Sequence, residues 1–498
     1  MNTLDFNEKL QEARKSVELR KYPHALGLYA TLVEHFPESG IWEEYGSAAA
    51  ASGDFDLAER VWETILSRQP NTAGLLSRLA YEYGKIWLFS KARALCFRAA
   101  NLEPGNLEMQ LSLASFLART NSVDEARTAV NKCLEIDPRG QQARYLSAHL
   151  RLRENKLDDA ERQFRDLLAS PALDPQVVHL CRIDMALLFD RTGRYDEAFS
   201  QIAEARSIAT RNMNIDAAQK RYDEQRANIL RTTKSLARNS LETWGKSFPP
   251  EERLAAAPLA FLGGHARSGT TLLEKILDAH PAVAAYDESL AFHSSILPLV
   301  NIMAPVIPAK SLNFLRKRYL NNLTKESGPP GEGKVLVDKN PAPTIFLPAF
   351  LRVFPEMRAL IALRDPRDVL VSCYFQDLPN FSHTSFERLA QHYCCVMDVW
   401  LMIREWEGLS WMETRYEDIV ADLQKEGARV TKFIGLEWHE NQAQFFERNR
   451  EKPVMSTNYK DVTQPVYTRS IGRWRAYEKY LAPVLPVLEP YCKKFGYE

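Results

Sequence analysis

A glycine-rich segment in the second half of the chain has the composition of a phosphate-binding loop. Glycines stand at positions 263, 264 and 269, and Thr270 and Thr271 open the amphipathic stretch that follows. Glycine lets backbone N–H groups close around a phosphate, and the first turn of a helix adds free N–H donors and a positive dipole end. The segment from Gly264 to Thr271 therefore predicts a phosphate-bearing ligand.

One position separates this segment from the loop of ATPases and kinases, whose pattern is GxxxxGK[ST]. Thr270 stands where that pattern has its lysine, and Arg267 lies inside the loop. The lysine contacts the β- and γ-phosphates, and the hydroxyl after it binds Mg²⁺. The absence of that lysine favours a nucleotide with a shorter phosphate chain, bound without a required metal ion. A P-loop kinase or NTPase is the alternative interpretation.

The elements that must position these residues are short apolar runs, each followed by a turn and a helical stretch. The predicted strands are Leu259–Leu262, Lys334–Val337, Arg358–Leu363 and Ser410–Thr414. This rhythm is typical of βαβ units around a central parallel sheet. Ligands bind beyond the carboxyl ends of such strands, where this chain has DKNP, RDPRD and RYED besides the glycine-rich segment. We therefore expect one anion site in a C-terminal, P-loop-like α/β domain.

A 34-residue repeat organises the first part of the chain. Alanines recur at positions 25, 58, 92, 126 and 160, and prolines follow at 37, 70, 104 and 138. The apolar positions, such as Trp42, Tyr45 and Ala49, have helical spacing and predict two amphipathic helices per unit. Such units stack into an all-α superhelix whose concave face holds protein segments. The alternative is an array that serves only as a spacer or dimer surface.

Composition and charge limit the partners of the chain. Lys+Arg and Asp+Glu are equal at 64 each, so no global field favours nucleic acid. The sequence lacks a signal-peptide pattern and any long apolar run, which predicts a cytoplasmic protein without a membrane span. Seven cysteines without CxxC or metal-ligand spacing predict reduced thiols and no metal site. The Pro-Pro pair in KSFPPEERLAAAP marks a boundary, giving a repeat array at 1–210, a helical linker at 211–257 and the α/β domain at 258–498.

Two segments of the α/β domain resemble the signatures of a known family. FLGGHARSGTTLLEKILDAHPAV resembles the 5′-phosphosulfate loop of sulfotransferases that use 3′-phosphoadenosine 5′-phosphosulfate, and LIALRDPRDVLVSCYF resembles their 3′-phosphate-binding segment. In the second segment Asp365 and Pro366 are suited to cap and start a helix. The resemblance covers about residues 258–480 and is greatest to tyrosylprotein sulfotransferases and to bacterial proteins that join such a domain to tetratricopeptide repeats. The 34-residue units in turn resemble tetratricopeptide repeats.

The resemblance implies a set of catalytic residues. Glu288 in YDESLAF matches the general base, and Asp287 beside it is the competing candidate. Lys339 and Arg267 match residues that stabilise charge on the transferring group and the leaving phosphate. Ser456 matches a serine near the leaving group. The spacing near this serine is two residues longer than in the animal enzymes, so Thr457 and Ser470 are alternatives to it.

The resemblance also implies a donor site for 3′-phosphoadenosine 5′-phosphosulfate as co-substrate, with no metal ion. The matching positions are Arg267, Ser268, Gly269, Thr270, Thr271, Arg364, Ser372, Tyr416 and Arg473. One position departs from the family, because Gln376 stands where the animal enzymes have a second arginine. The implied function is sulfuryl transfer to a hydroxyl acceptor, which can be a peptide or protein tyrosine, a glycan or a small molecule. The repeats would recruit or gate that acceptor or bind a protein partner, and a repeat scaffold with a silent nucleotide-binding domain is a further alternative.

Overall fold

The computed structural model describes residues 3–38, 40–68, 71–211, 213–377, 381–449 and 465–497. Its N-terminal part confirms the predicted stack of helical hairpins, which we call the array. The array helices are α1 Thr3–Glu18, α2 Tyr22–His35, α3 Trp42–Ala51, α4 Phe55–Arg68, α5 Ala73–Lys85, α6 Phe89–Leu102, α7 Leu107–Arg119, α8 Val123–Ile136, α9 Gln141–Arg153, α10 Leu157–Leu168, α11 Pro175–Arg191 and α12 Tyr195–Thr210.

Small residues allow the helices of the array to approach closely. Ala58 and Trp62 on α4 are fully buried. A side chain on Gly46 of α3 would collide with the indole of Trp62, so glycine at this position makes room for the large ring. The alanines of the repeat thus fill the same role in successive hairpins, and the apolar stripes of neighbouring units as far as Leu150 form one continuous core.

Two helices connect the array to the α/β domain, α13 Ile215–Ser235 and α14 Ser240–Ser247. They pack on the domain, because Gln219 and Arg226 of α13 donate hydrogen bonds to Gln391 in a later helix. Trp244 of α14 joins the hydrophobic core that the domain shares with the last repeats.

Five parallel strands form the sheet of the described residues, in the order β2-β3-β1-β4-β5. They are β1 Leu259–Gly264, β2 Val283–Asp287, β3 Val335–Lys339, β4 Arg358–Leu363 and β5 Trp411–Arg415. Four of them lie at the predicted apolar runs, which confirms the parallel α/β architecture. The continuous apolar residues of β1 and of the first three positions of β3 follow from burial on both faces.

The prediction of four strands was incomplete, because β2 was missed. Its sequence VAAYD contains two alanines and lies only partly buried at the sheet edge, so it lacks the apolar run that marks the central strands. Parallel pairing sets Asp287 at the end of β2 beside Lys339 at the end of β3. The edge strand therefore brings the acidic residues of YDESLAF to the predicted anion site.

Helices cover both faces of this sheet. They are α15 Thr270–Asp278, α16 Ala291–Ser295, α17 Ala309–Thr324, α18 Leu347–Val353, α19 Pro366–Tyr374, α20 Phe386–Ile403, α21 Tyr416–Ala421, α22 Leu423–Phe433, α23 Phe445–Asn449, α24 Glu478–Leu481 and α25 Leu485–Phe495. None of the helices in the described ranges has both the length and the apolar content needed to cross a bilayer.

The array touches the α/β domain at both of its ends. Near its start, the carbonyl of Gly53 accepts a hydrogen bond from Asn322 Nδ2 over 3.1 Å, and Lys325 pairs with Asp56 and Glu59. At its end, Arg206 of α12 donates to the carbonyl of Tyr374 over 2.6 Å. The array therefore contacts the α/β domain directly at both ends, in addition to its connection through α13 and α14.

Candidate active site

The phosphate loop lies between the end of β1 and the start of α15, at the carboxyl edge of the sheet. Gly264 has φ +121°, and its N–H donates to Thr344 Oγ1 over 2.9 Å. Arg267 and Gly269 have φ +71° and +87°, so the backbone turns back before Thr270 begins the helix. Successive N–H groups in such a turn and at a helix start form a concave anion site.

The two segments predicted to bind the donor phosphates meet at Arg267. Its Nε donates to Ser372 Oγ over 2.9 Å, and its carbonyl accepts from Arg364 Nη1 over 3.1 Å. Arg364 Nη2 donates to the carbonyl of Ser470 over 2.6 Å. Arg364 Nε is buried and has no hydrogen-bond partner in the described part of the chain. Two guanidinium groups and a hydroxyl thus converge in a way that suits an anionic ligand.

The helix that carries Ser372 begins as predicted. Pro366 is the first residue of α19, and the Asp365 carboxylate accepts a hydrogen bond from the N–H of Arg367 over 2.9 Å. This cap satisfies one of the free donors at the helix start. Two turns later, Ser372 is buried at the phosphate loop.

Lys339 connects the phosphate loop to the acidic segment. It lies fully buried at the end of β3, where its Nζ donates to Glu288 Oε1 over 2.9 Å and to Thr271 Oγ1 over 3.3 Å and pairs with Asp287. Burial favours the neutral form of a lysine, but the two carboxylates outweigh it and hold the pKa of Lys339 above its ordinary value. The lysine is therefore a fixed positive charge beside the loop.

Asp287 and Glu288 occupy different environments. The side chain of Glu288 is 44% exposed, whereas that of Asp287 is 15% exposed beneath it. Burial raises the pKa of Asp287, but the ammonium groups of Lys339 and Lys275 together outweigh burial and hold this pKa below its ordinary value. Glu288 has φ +50°, and its N–H donates to the carbonyl of Lys339 over 2.7 Å. This backbone conformation turns Glu288 outward, where an incoming hydroxyl can reach it.

Tyr416 lies directly below the phosphate loop. A side chain on Gly269 would come within 2.7 Å of the Tyr416 ring, and the guanidinium carbon of Arg364 lies 5.0 Å from the ring centroid. The tyrosine at the start of α21 thus supports both the loop and the arginine.

The structure describes some of the remaining predicted site residues and not others. Arg473 lies next to α19, with its guanidinium carbon 5.0 Å from the centroid of the Phe375 ring. Ser456 lies outside the described residues, as does its alternative Thr457. The other alternative, Ser470, reaches the site through its carbonyl. Ser268 is buried in the loop, and its N–H donates to the carbonyl of His265 over 3.2 Å.

Comparison with known proteins finds a family that is similar to the domain holding this site. Residues 258–440 match the model of the sulfotransferase family. The match begins one residue before β1 and includes the phosphate loop, Glu288, Lys339 and Ser372.

Curated relatives are distant and longer than the matched part. An uncharacterized protein of Aquifex aeolicus is 24% identical over 472 residues, which are 88% of this chain and 57% of that protein. The protein-tyrosine sulfotransferase of Drosophila melanogaster is 22% identical over 236 residues, or 44% of this chain and 47% of that protein. The chain therefore spans about half the length of these relatives.

Two solved structures are each similar to part of this chain. The sulfotransferase domain of a Synechococcus olefin synthase is 17% identical with a TM-score of 0.34, covering 45% of this chain and 90% of its own. A tetratricopeptide repeat protein from Parabacteroides merdae is 16% identical with a TM-score of 0.34, covering 44% of this chain and 88% of its own.

Several residues at the site carried no recognisable signal in the sequence. Thr344 supports the loop from a 3-10 turn after β3. Asp368 on α19 accepts hydrogen bonds from the N–H groups of Gly472 and Trp474 over 2.7 and 2.8 Å. Asp190 on α11 accepts from Arg473 Nε over 3.0 Å. The position of Asp368 inside RDPRD was the only hint, and Asp190 lies in a repeat helix with no motif around it.

Proposed function

We propose that this chain transfers a sulfuryl group from 3′-phosphoadenosine 5′-phosphosulfate to a hydroxyl acceptor. The observation that carries the proposal is the position of Lys339. One buried ammonium group joins Thr271 of the phosphate loop to Glu288 at the end of the neighbouring strand. A cation for the leaving phosphate and a carboxylate for the acceptor proton thus lie within one hydrogen-bonded group.

The residues present fit the proposed donor. The backbone between Gly264 and Thr271 forms a concave turn at a helix start, which suits the 5′-phosphosulfate. Arg364 has a buried Nε without a partner in the described ranges, which suits an anion next to Ser372. Tyr416 offers an aromatic ring beside this arginine. The two anion positions lie on separate segments, as a nucleotide with phosphates at both ends of its ribose requires.

The proposed reaction needs one proton transfer and one bond exchange. Glu288 accepts the proton of the acceptor hydroxyl as its oxygen forms a bond to sulfur. The bond between sulfur and the bridging phosphate oxygen breaks, which releases adenosine 3′,5′-bisphosphate. Lys339 and Arg267 stabilise the negative charge that builds on the bridging oxygen. Because Lys339 is already fixed by its carboxylate partners, little reorganisation is needed when that charge develops.

We propose a tyrosine in a protein segment as the acceptor. The relatives in Drosophila melanogaster and Gallus gallus are named protein-tyrosine sulfotransferases, and repeat arrays commonly hold extended protein segments. A groove of about 500 Å³ on the array supports this choice. It is lined by Leu107, Glu108, Leu111, Ser112, Ser115 and Gln142.

The test is transfer of labelled sulfate from the donor to a tyrosine peptide, a sugar and a simple phenol. Glu288→Gln should lower transfer by about 10²–10⁴-fold and leave binding of adenosine 3′,5′-bisphosphate unchanged, since the base acts only in the chemical step. Glu332→Gln, in an exposed loop, is the matched control. Full activity of Glu288→Gln would move the base role to Asp287 or another group.

The same assay separates the alternatives. Preferential labelling of the sugar or the phenol would replace the proposed acceptor with a glycan or a small alcohol. Phosphate transfer from ATP with Mg²⁺, without binding of the bisphosphate, would support a P-loop kinase and overturn the proposed function. Absence of both activities together with absence of nucleotide binding would support a scaffold.

A further inference from the structure

An aspartate of the array binds the arginine that lies beside α19. Arg473 begins a 3-10 turn, and its Nε donates to Asp190 Oδ1 over 3.0 Å. Asp190 lies on α11, nearly three hundred residues earlier in the chain. The hydroxyl of Tyr477 donates to the same oxygen over 2.6 Å. The carboxylate thus holds two side chains of one turn.

Arg473 is fixed against the segment that carries Ser372. Its guanidinium carbon lies 5.0 Å from the ring centroid of Phe375, which follows Ser372 by three residues, one turn of the helix. The N–H groups on both sides of Arg473 donate to Asp368 of the same helix. Backbone and side chain are therefore both held on α19.

One nitrogen of the Arg473 guanidinium is available for a ligand. Its Nη2 is buried and has no hydrogen-bond partner in the ranges that the structure describes. A buried guanidinium N–H normally has an acceptor, and a charged acceptor gives the strongest pairing. Gln376, one turn beyond Ser372, is uncharged, so any second cation for an anion at this turn must come from another segment.

We propose that Asp190 is a positioning residue of the donor site. It holds Arg473 through Nε so that Nη2 meets the 3′-phosphate of the nucleotide beside Ser372. This inference rests on the proposed function, since it requires an adenosine 3′,5′-bisphosphate product. Its consequence is that the array is part of the nucleotide site, and nucleotide affinity depends on a repeat residue that touches no nucleotide itself.

The test compares two nucleotides that differ only in the 3′-phosphate. Isothermal titration of the full chain with adenosine 3′,5′-bisphosphate and with adenosine 5′-monophosphate measures both affinities. Asp190→Asn should weaken bisphosphate binding about tenfold, the value of one charge-assisted hydrogen bond, and leave monophosphate binding unchanged. Asp196→Asn is the matched control, because this array aspartate binds the helix that follows the turn, where it contacts Lys479 and Tyr480 of α24.

Each outcome decides the matter. Unchanged bisphosphate affinity in Asp190→Asn overturns the inference while leaving the proposed function intact. Equal losses for both nucleotides also overturn it, because they indicate a general structural role. Arg473→Lys, which keeps the charge but loses the planar fork, should show the same selective loss and serves if Asp190→Asn does not fold. A wild-type chain that binds neither nucleotide refutes the proposed function and this inference together.

Discussion

Acidification from about pH 7.5 to about pH 5.5 should remove about 4 kcal/mol of folding free energy through three histidines. His265 in the phosphate loop and His383 are buried, and His392 lies between them, with ring centroids 5.3 Å from His265 and 6.5 Å from His383. Burial lowers the pKa of His392 from 6.5 to about 4. Burial and the neighbouring His392 ring together lower the pKa values of His265 and His383 from 6.5 to about 3. Each ring therefore stays neutral in the folded chain at the lower pH.

The sign follows from the protons bound in each state. Histidines in the unfolded chain take up protons below about pH 6.5, whereas these three rings in the folded chain do not until about pH 4. The free energy of unfolding is therefore greatest above about pH 6.5 and decreases as the pH falls below it. At one pH unit below the pKa of the unfolded state, each ring lowers the free energy of unfolding by about 1.4 kcal/mol. The pKa values in the folded chain lie well below this pH, so the size of the loss depends almost wholly on the pKa of histidine in the unfolded chain.

Urea unfolding at both pH values measures this contribution. His392→Gln should reduce the loss of stability on acidification by about 1.4 kcal/mol relative to wild type, and His383→Gln should do the same. A His392→Gln chain that loses as much stability as wild type would refute the reasoning, because it would mean that the His392 ring is already charged in the folded chain.

Three further results are expected. Gly53→Ala should destabilise the chain by about 1–3 kcal/mol more than Gly193→Ala in urea unfolding, because both glycines have positive φ but only the first would press a Cβ into the α/β domain. Gly269→Ala should weaken nucleotide binding in isothermal titration, since its Cβ would come within 2.7 Å of the Tyr416 ring. An affinity equal to that of wild type would show that this turn does not contribute to nucleotide binding. Burial raises the pKa of Asp338 from 3.8 to about 7, so its contribution to stability is lost as the pH rises through 7, and Asp338→Asn should be more stable than wild type at pH 8 by thermal unfolding.

Much of the fold could be predicted from local patterns. The 34-residue spacing from Ala25 to Ala160 predicted the hairpins, because each unit repeats the same close contact between two helices. The apolar runs predicted the central strands, because strands buried on both faces need continuous apolar residues. Edge strand β2 was missed for the converse reason, since one partner strand and partial exposure leave its sequence almost unconstrained.

The sequence by itself predicted most groups of the candidate site, because a phosphate loop, a helix cap and a strand end each have a pattern over a few consecutive positions. Only the tertiary structure decided how they are arranged. It set Glu288 outward and Asp287 under Lys339, since strand register, not sequence order, places side chains on two neighbouring strands. It also joined Asp190 to Arg473. That contact has no local pattern, because it joins a repeat helix to a turn nearly three hundred residues later in the chain.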